Sequence, residues 1–301
     1  MTAAEDNPFN SSLTKAPVRL STPGDAKLPT HAFTVDVEDW YQSCIDYDAP
    51  ISDRVVRNVD NLLALLDESG VKGSFFVQGK VAEAFPGVVR SLVDQGHEVQ
   101  SHGYSHRPLF QMSRPELREE IKRAKETVED AAGQQVTAFR AQDFSIRSDN
   151  LWALEMLAEI GFWTDSSIFP MRSRHYGIAK WEVDPHYLVF NGNRILEVPV
   201  AIWAHRRFRI PVAGGGYFRF LPRFILERGL SAIEKSGRPA IVYFHPYEFS
   251  VNELDSYPDV SRRTRLSQGA GRGALAGRIR SMLTKFKFGR MDDVLKAWGV
   301  Q

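Results

Sequence analysis

Short apolar runs alternate with amphipathic segments from Ala32 to Phe244, and that alternation limits the folds open to the chain. Ala32–Val37, Gly73–Val77, Glu98–Ser101, Ala138–Arg140, Ile195–Pro199 and Ala240–Phe244 read as strands. Between them, Arg54–Glu68 sets Val55, Val59, Leu62, Leu63 and Leu66 on one helical face and stops at Gly70. Val81–Gln95 reads as a single helix ending at Gly96, and Asn150–Ile160 and Phe220–Ser236 as two more. Ser113 starts another as its N-cap, with Pro115 in the first turn and Gly133 as the stop. Parallel neighbours need long crossovers, so strands separated by helices predict an α/β fold with a parallel sheet, open or closed.

With 301 residues, 43% hydrophobic and 25% charged, the chain can bury one large core or two small ones. A formal charge of +1 gives no general attraction to nucleic acid. A single cysteine, Cys44, excludes an internal disulfide and any cysteine-rich zinc site. The first residues lack a basic stretch followed by an apolar one, and no run of about 18 apolar residues occurs. The expectation is a cytoplasmic protein without a transmembrane segment. Residues 1–28 read as a polar tail or arm, 29–250 as the main domain, and 251–301 as basic loops and helices packed on it.

Each chemically interesting motif falls at the C-terminal end of an expected strand, the rim where active sites of α/β barrels gather. Asp36 and Glu38 alternate along one strand and should share a face, with Asp39 just beyond. His102 and His106 follow another strand, and spacing of i, i+4 lets both imidazoles meet one ion if they share a helical turn. Two histidines and one carboxylate leave open positions on a zinc-like ion, as catalytic sites do. One of Asp36 and Glu38 can ligate the ion while the other accepts a proton from bound water, Asp39 can take either role, and a cap or turn cluster is the ordinary alternative for these acids. Arg140 ends an apolar strand and is costly to bury unpaired, so a bidentate contact with Asp36 is expected. His245 follows five apolar residues and reads as a general acid, with Asp165 to orient it. His31 reads as structural, and His97 as a surface or edge histidine.

Gly214-Gly215-Gly216 lacks the ending of a phosphate loop, and predicts instead a place where backbone approaches a bulky ligand. Trp40, Tyr41, Trp163, Trp203, Tyr217 and Tyr247 lie near the proposed loops, and flat rings suit sugar faces, although core packing explains most aromatics. The basic stretch Ser261–Arg265 through Lys285–Lys287 reads as a solvated helix face, with peripheral contact to anionic lipid or a pyrophosphate-linked sugar as the alternative.

In this order, Val-Asp36-Val-Glu38-Asp39, His102-Gly-Tyr-Ser-His106, Arg140-Ala-Gln142, Thr-Asp165-Ser-Ser and Tyr-Phe-His245-Pro-Tyr-Glu resemble the polysaccharide deacetylases, carbohydrate esterase family 4. The similarity spans residues 30–250. Val-Asp-Val-Glu-Asp-Trp-Tyr-Gln, Gly-Gly-Gly-Tyr-Phe-Arg and Phe-His-Pro-Tyr-Glu resemble more narrowly the branch associated with exopolysaccharide and exosortase gene clusters.

The resemblance implies a deformed (β/α) barrel of about seven parallel strands. It also implies metal-dependent removal of acetyl groups from an N-acetylated oligo- or polysaccharide, free or carried on a lipid or nucleotide. It assigns Asp36 as base, His102 and His106 as ligands with Glu38 or Asp39, Arg140 as the residue orienting Asp36, and His245 as an acid tuned by Asp165. The ion implied is divalent, Zn with Co or Ni as substitutes. Trp40, Tyr41, Tyr217 and Tyr247 are the expected substrate contacts. Two departures stand out: Gly103 replaces the usual Ser or Thr, and Gln142, followed by Asp143, replaces the usual Pro. Hydrolysis of a cyclic imide or ureide, and glycan binding without catalysis, are the rival readings.

Overall fold

The computed structural model describes residues 13–21, 23, 30–173, 176–206 and 208–300. The first half of the chain runs β1 (Thr14–Pro17), β2 (His31–Val37), α1 (Trp40–Cys44), α2 (Arg54–Glu68), β3 (Ser74–Val77), α3 (Gly79–Ala84), α4 (Pro86–Asp94), β4 (Glu98–Ser101), α5 (Arg114–Ala132), β5 (Ala138–Phe139) and α6 (Trp152–Ile160). It continues with β6 (Thr164–Asp165), β7 (His186–Phe190), β8 (Asn193–Glu197), β9 (Ile202–His205), β10 (Phe208–Pro211), α7 (Gly215–Phe220) and α8 (Arg223–Lys235). Then come β11 (Ile241–Phe244), α9 (Arg262–Gly269), α10 (Arg272–Lys285), β12 (Phe288–Gly289) and α11 (Met291–Ala297).

Seven strands lie side by side in the order β11-β2-β3-β4-β5-β6-β8, each parallel to its neighbour. The gap between β8 and β11 is bridged by single residues rather than a strand. The Ala201 N–H donates to the Ile241 carbonyl at 2.9 Å, and Gly214 bridges Tyr243 in parallel. The sheet is therefore a deformed (β/α) barrel, closed by isolated bonds along one seam. Of the expected arm at 1–28, residues 1–12, 22 and 24–28 lie outside the described residues, while β1 pairs antiparallel with β7 at the sheet's edge.

Alternation along the strands sorts the core into two parts. Phe33, Val35, Phe75, Val99 and Phe139 face the surrounding helices. Ala32, Phe76, Ala138, Leu196, Val198 and Ile241 fill the barrel, together with Met291, Val294, Leu295 and Trp298. Thus α11 and the tryptophan after it plug the end of the barrel where the strands begin. Trp298 Nε1 donates to the Thr30 carbonyl at 3.0 Å, which satisfies its one donor at that depth. The other end of the barrel is left for polar groups.

Local sequence explains the helix ends. Ser113 and Glu116 form a capping box at the start of α5, with the Ser113 N–H on Glu116 Oε2 at 2.8 Å, and Gly133 closes the helix in the left-handed region. The expected helix Val81–Gln95 is instead two, α3 and α4. The proline at 86 drives Phe85 to φ −136°, ψ 62°, and no helix passes through that residue. Pro222 breaks the expected 220–236 helix in the same way, leaving Leu221 extended between α7 and α8.

Candidate metal centre and active site

The end of β2 and the residue just past it put Asp36 and Glu38 into the barrel mouth, both buried. Arg140, wholly buried at the end of β5, donates through Nη1 to Asp36 Oδ1 at 2.7 Å and to Thr34 Oγ1 at 2.8 Å. Its Nη2 and Nε turn to Ser166, whose Oγ and carbonyl accept at 3.0 and 3.3 Å. The expected bidentate contact is thus a single bond, because the rest of the guanidinium fork is spent on Thr34 and Ser166. Every arm is satisfied, which is what makes a buried cation tolerable.

His102 and His106 do not share a helix. They lie on a loop in which Gly103 (φ 68°) and His106 (φ 65°) are left-handed. The loop is pinned from both sides: the Gly79 N–H donates to the Gly103 carbonyl at 2.7 Å, and Glu120 of α5 accepts from the Ser105 N–H at 2.6 Å. His102 Nδ1 lies 2.8 Å from the Arg140 carbonyl, which can only accept, so Nδ1 carries the proton and Nε2 keeps its lone pair. Glu38 Oε2 stands 3.4 Å from that Nε2 and in close contact with His106 Nε2.

Ligand atoms of Glu38, His102 and His106 all lie within 4.8 Å of one another, in a buried group. The buried Glu38 Oε2 makes no hydrogen bond, and neither does His106 Nδ1. Burial opposes charge on Glu38, yet His106 and His245 hold its carboxyl well below the usual carboxylate range. Two imidazole nitrogens and one ionised oxygen turned toward a common point fit a divalent cation. Asp39 is not part of this group. Its Oδ1 caps α1, accepting from the Tyr41 and Gln42 N–H groups at 3.0 Å each, and its Oδ2 accepts from the Ser52 N–H at 3.0 Å and from the Ser52 hydroxyl.

His245, at the end of β11, faces Glu38 across the cavity, with Nε2 3.8 Å from Glu38 Oε1. The expected partner Asp165 does not reach it. Asp165 accepts from the Ser167 hydroxyl at 2.5 Å and N–H at 3.0 Å, and pairs in register with Glu197 of β8. Burial raises both carboxyls, and Asp165 helps push Glu197 well above the usual range. Asp165 therefore supports the Ser166–Ser167 turn beneath Arg140. The residue that holds His245 is Glu248, three positions on, whose Oε2 accepts from the His245 N–H at 3.0 Å and lies 3.3 Å from Nδ1. The sequence signal for Glu248 was present: an acid three residues beyond His245, with Pro246 between them, is the pattern of a capping box.

Asp36, Glu38, His102, His106, His245 and Glu248 line one cavity of about 250 Å³, with Cys44, Asp143, Phe144, Tyr176, Arg219, Tyr243 and Tyr247. Tyr247 is the expected aromatic that does reach the site, its hydroxyl donating to Glu38 Oε1 at 3.1 Å. Trp40 is buried against Tyr247, Leu254 and Val260, and Tyr41 stacks on Tyr257 with centroids 4.7 Å apart. Tyr217 packs beside Phe169 outside the lining. All three are packing residues, and Tyr176, Tyr243 and Phe144 form the aromatic wall instead. Within the glycine run, Gly215 lets Glu248 pack close, since a β-carbon there would sit 1.9 Å from Glu248 Oε2, while Gly216 lines the cavity. A larger cavity, about 950 Å³, opens where the strands begin, beside Glu98, Trp163 and Arg194, and contains none of the groups just described.

Residues 44–158 match the family model described as Polysaccharide deacetylase, and residues 166–296 match the Domain of unknown function DUF3473. The chain is thus similar to the polysaccharide deacetylases (CE4) over one part and to DUF3473 over another, each match covering less than half of its length. It is 31% identical over 108 residues to the peptidoglycan-N-acetylglucosamine deacetylase of Bacillus cereus, covering 36% of this chain and 39% of that one. It is 27% identical over 124 residues to a chitooligosaccharide deacetylase of Sinorhizobium fredii, covering 41% and 50%. The chain therefore spans half or less of the length of these curated relatives. In structure it superposes on a Mycobacterium smegmatis protein assigned to the polysaccharide deacetylases, with TM-score 0.66, 22% identity and 96% of both chains covered. The Puue allantoinase also superposes, with TM-score 0.63, 16% identity and 95% and 94% coverage. At those identities the shared property is the fold.

Proposed function

We propose that the chain is a metal-dependent hydrolase that removes N-acetyl groups from an amino-sugar glycan. The observation that carries this reading is the convergence of Glu38, His102 and His106 in one cavity with Asp36, held by Arg140, and His245, held by Glu248. A divalent ion at the first three residues, Zn in this reading with Co or Ni as substitutes, would supply the Lewis acidity that activates water and polarises an amide carbonyl. Asp36 takes the proton of the attacking water, and the Arg140 hydrogen bond holds it aimed. His245 gives its proton to the departing sugar nitrogen, while Glu248 on Nδ1 leaves Nε2 to face the cavity. One proton enters at Asp36 and one leaves at His245, so acetate and a free amine are the products.

The B. cereus and S. fredii relatives, a peptidoglycan-N-acetylglucosamine deacetylase and a chitooligosaccharide deacetylase, support a glycan substrate. The allantoinase shares the fold, so the fold alone does not choose between a linear acetamide and a cyclic amide. Exopolysaccharide or envelope carbohydrate metabolism, acting on a cytoplasmic, lipid- or nucleotide-linked precursor, completes the reading. Purified protein should release acetate from N-acetylated oligosaccharides, lose activity to a chelator, and lose it in Asp36→Asn. Ring opening of cyclic imides or ureides without acetate release would replace this reading. Metal content unchanged in a His102→Ala/His106→Ala double variant would favour a binding protein on the same fold.

A further inference from the structure

The loop after β5 holds two consecutive residues, Asp143 (φ 52°) and Phe144 (φ 48°), in the left-handed region without a glycine. That region is tolerable for Asp and unfavourable for a bulky ring, so the surroundings must impose it. They do so on both sides. Ala141 donates its N–H to Ser167 Oγ at 2.8 Å. Gln142 is wholly buried, its amide lying where a β-carbon on residue 103 would stand, and Phe144 is buried edge-on against Tyr243 at 5.0 Å. Gly103 and Gln142, the two departures in the sequence motifs, are therefore one packed feature.

Its consequence is the placement of Asp143. Gln142 and Phe144 turn inward, while Asp143 turns out, exposed, into the lining of the cavity that holds Glu38, His102, His106 and His245. The other carboxylates of that lining face cations or imidazoles: Asp36 faces Arg140, Glu38 the histidines, and Glu248 both His245 and Arg219. Among the described residues Asp143 makes no ion pair or hydrogen bond with a cation, and the imidazole on which its charge acts is His106. On the facing rim, burial and then the charge of Asp143 push the Tyr47 phenol up.

We infer that Asp143 is a specificity-determining residue of this cavity, whose carboxylate receives the ammonium of a sugar already deacetylated beside the one being processed. The inference rests on the deacetylase reading for its substrate class. A hydroxyl is present on every sugar, but an ammonium makes a charge-assisted bond to an unpaired carboxylate and is the stronger discriminator. The free amine produced by one turnover then becomes the mark that recruits the chain for the next.

Equilibrium binding by calorimetry tests this with two oligosaccharides of equal length, one fully N-acetylated and one carrying a single free amine. Wild-type protein should bind the amine-bearing oligomer about tenfold more tightly at low salt, and the advantage should shrink as salt rises. Asp143→Asn, which tolerates the same backbone, should abolish the preference while weakening the neutral oligomer by no more than about threefold. No preference in the wild type, or a preference retained in Asp143→Asn, overturns the inference. Equal loss on both oligomers assigns Asp143 to a hydroxyl and overturns it as well. Because binding is read rather than turnover, a failure to release acetate would count against the deacetylase reading alone.

Discussion

Glu248 grips His245 twice, taking its backbone N–H at 3.0 Å and lying 3.3 Å from Nδ1. Burial opposes protonation of His245, but Glu38, Glu248 and Asp36 together push its pKa up to about 9. The proton donor of the proposed mechanism is thereby kept charged at neutral pH. Glu248→Gln removes one of these charges and loosens the ring. The expected result is a fall in kcat on the order of 10²-fold with a smaller change in KM, and an alkaline limb of the pH profile moved to lower pH. An unaltered profile would assign Glu248 to folding alone.

Gly103 and Gln142 should be energetically coupled. A β-carbon on Gly103 would lie 1.8 Å from Gln142 Nε2, and the backbone there is left-handed at φ +68°. Gly103→Ala should destabilise by roughly 2 kcal/mol or more from strain and overpacking together. Trimming the neighbour in Gly103→Ala/Gln142→Ala should recover the overpacking share but not the backbone share. Denaturant midpoints of the four proteins in this cycle give the coupling, and strict additivity would contradict the packing.

His31 and His97 should make the fold acid-labile. Each accepts a backbone N–H on Nδ1, from Ala240 at 3.1 Å and from Gly73 at 3.0 Å. Burial lowers both pKa values from 6.5 to about 4. The unfolded chain binds these protons first, so the stability is complete above pH 6.5 and is lost as the pH falls toward 4. His31→Gln, whose amide oxygen can accept the same bond without titrating, should flatten the decline of Tm over that window. A parallel decline in the variant would remove the histidine from the account.

What could be seen in the sequence follows from periodicity and local chemistry. Arg54–Glu68 and the α5 cap depend on residues within a few positions, and each is formed as its own segment dictates. The strand-end rule likewise brought Asp36, His102, His106 and His245 to one mouth, with Arg140 buried behind Asp36. Errors arose where a partner lies elsewhere in the fold. Asp165 is expected beside His245 because carboxylates orient catalytic imidazoles, but the β6–β8 register gives it to Glu197. His97, expected at the surface, is buried by β3. The choice between Glu38 and Asp39 was legible in part: alternation puts Glu38 on the face of Asp36, and Asp39 immediately precedes a helical turn. Trp40 and Tyr41 belong to that turn, which carries them away from the cavity.

Metal stoichiometry in purified protein is the most direct test of the central claim, that Glu38 rather than Asp39 completes a site with His102 and His106. Titration with Zn should give one equivalent for the wild type and for Asp39→Asn, the latter with stability reduced by about 1 kcal/mol because its amide nitrogen cannot accept the two Ser52 bonds. Glu38→Gln and His102→Ala should each lose the bound equivalent while remaining folded. Retention of Zn by Glu38→Gln together with its loss in a folded Asp39→Asn would contradict the account.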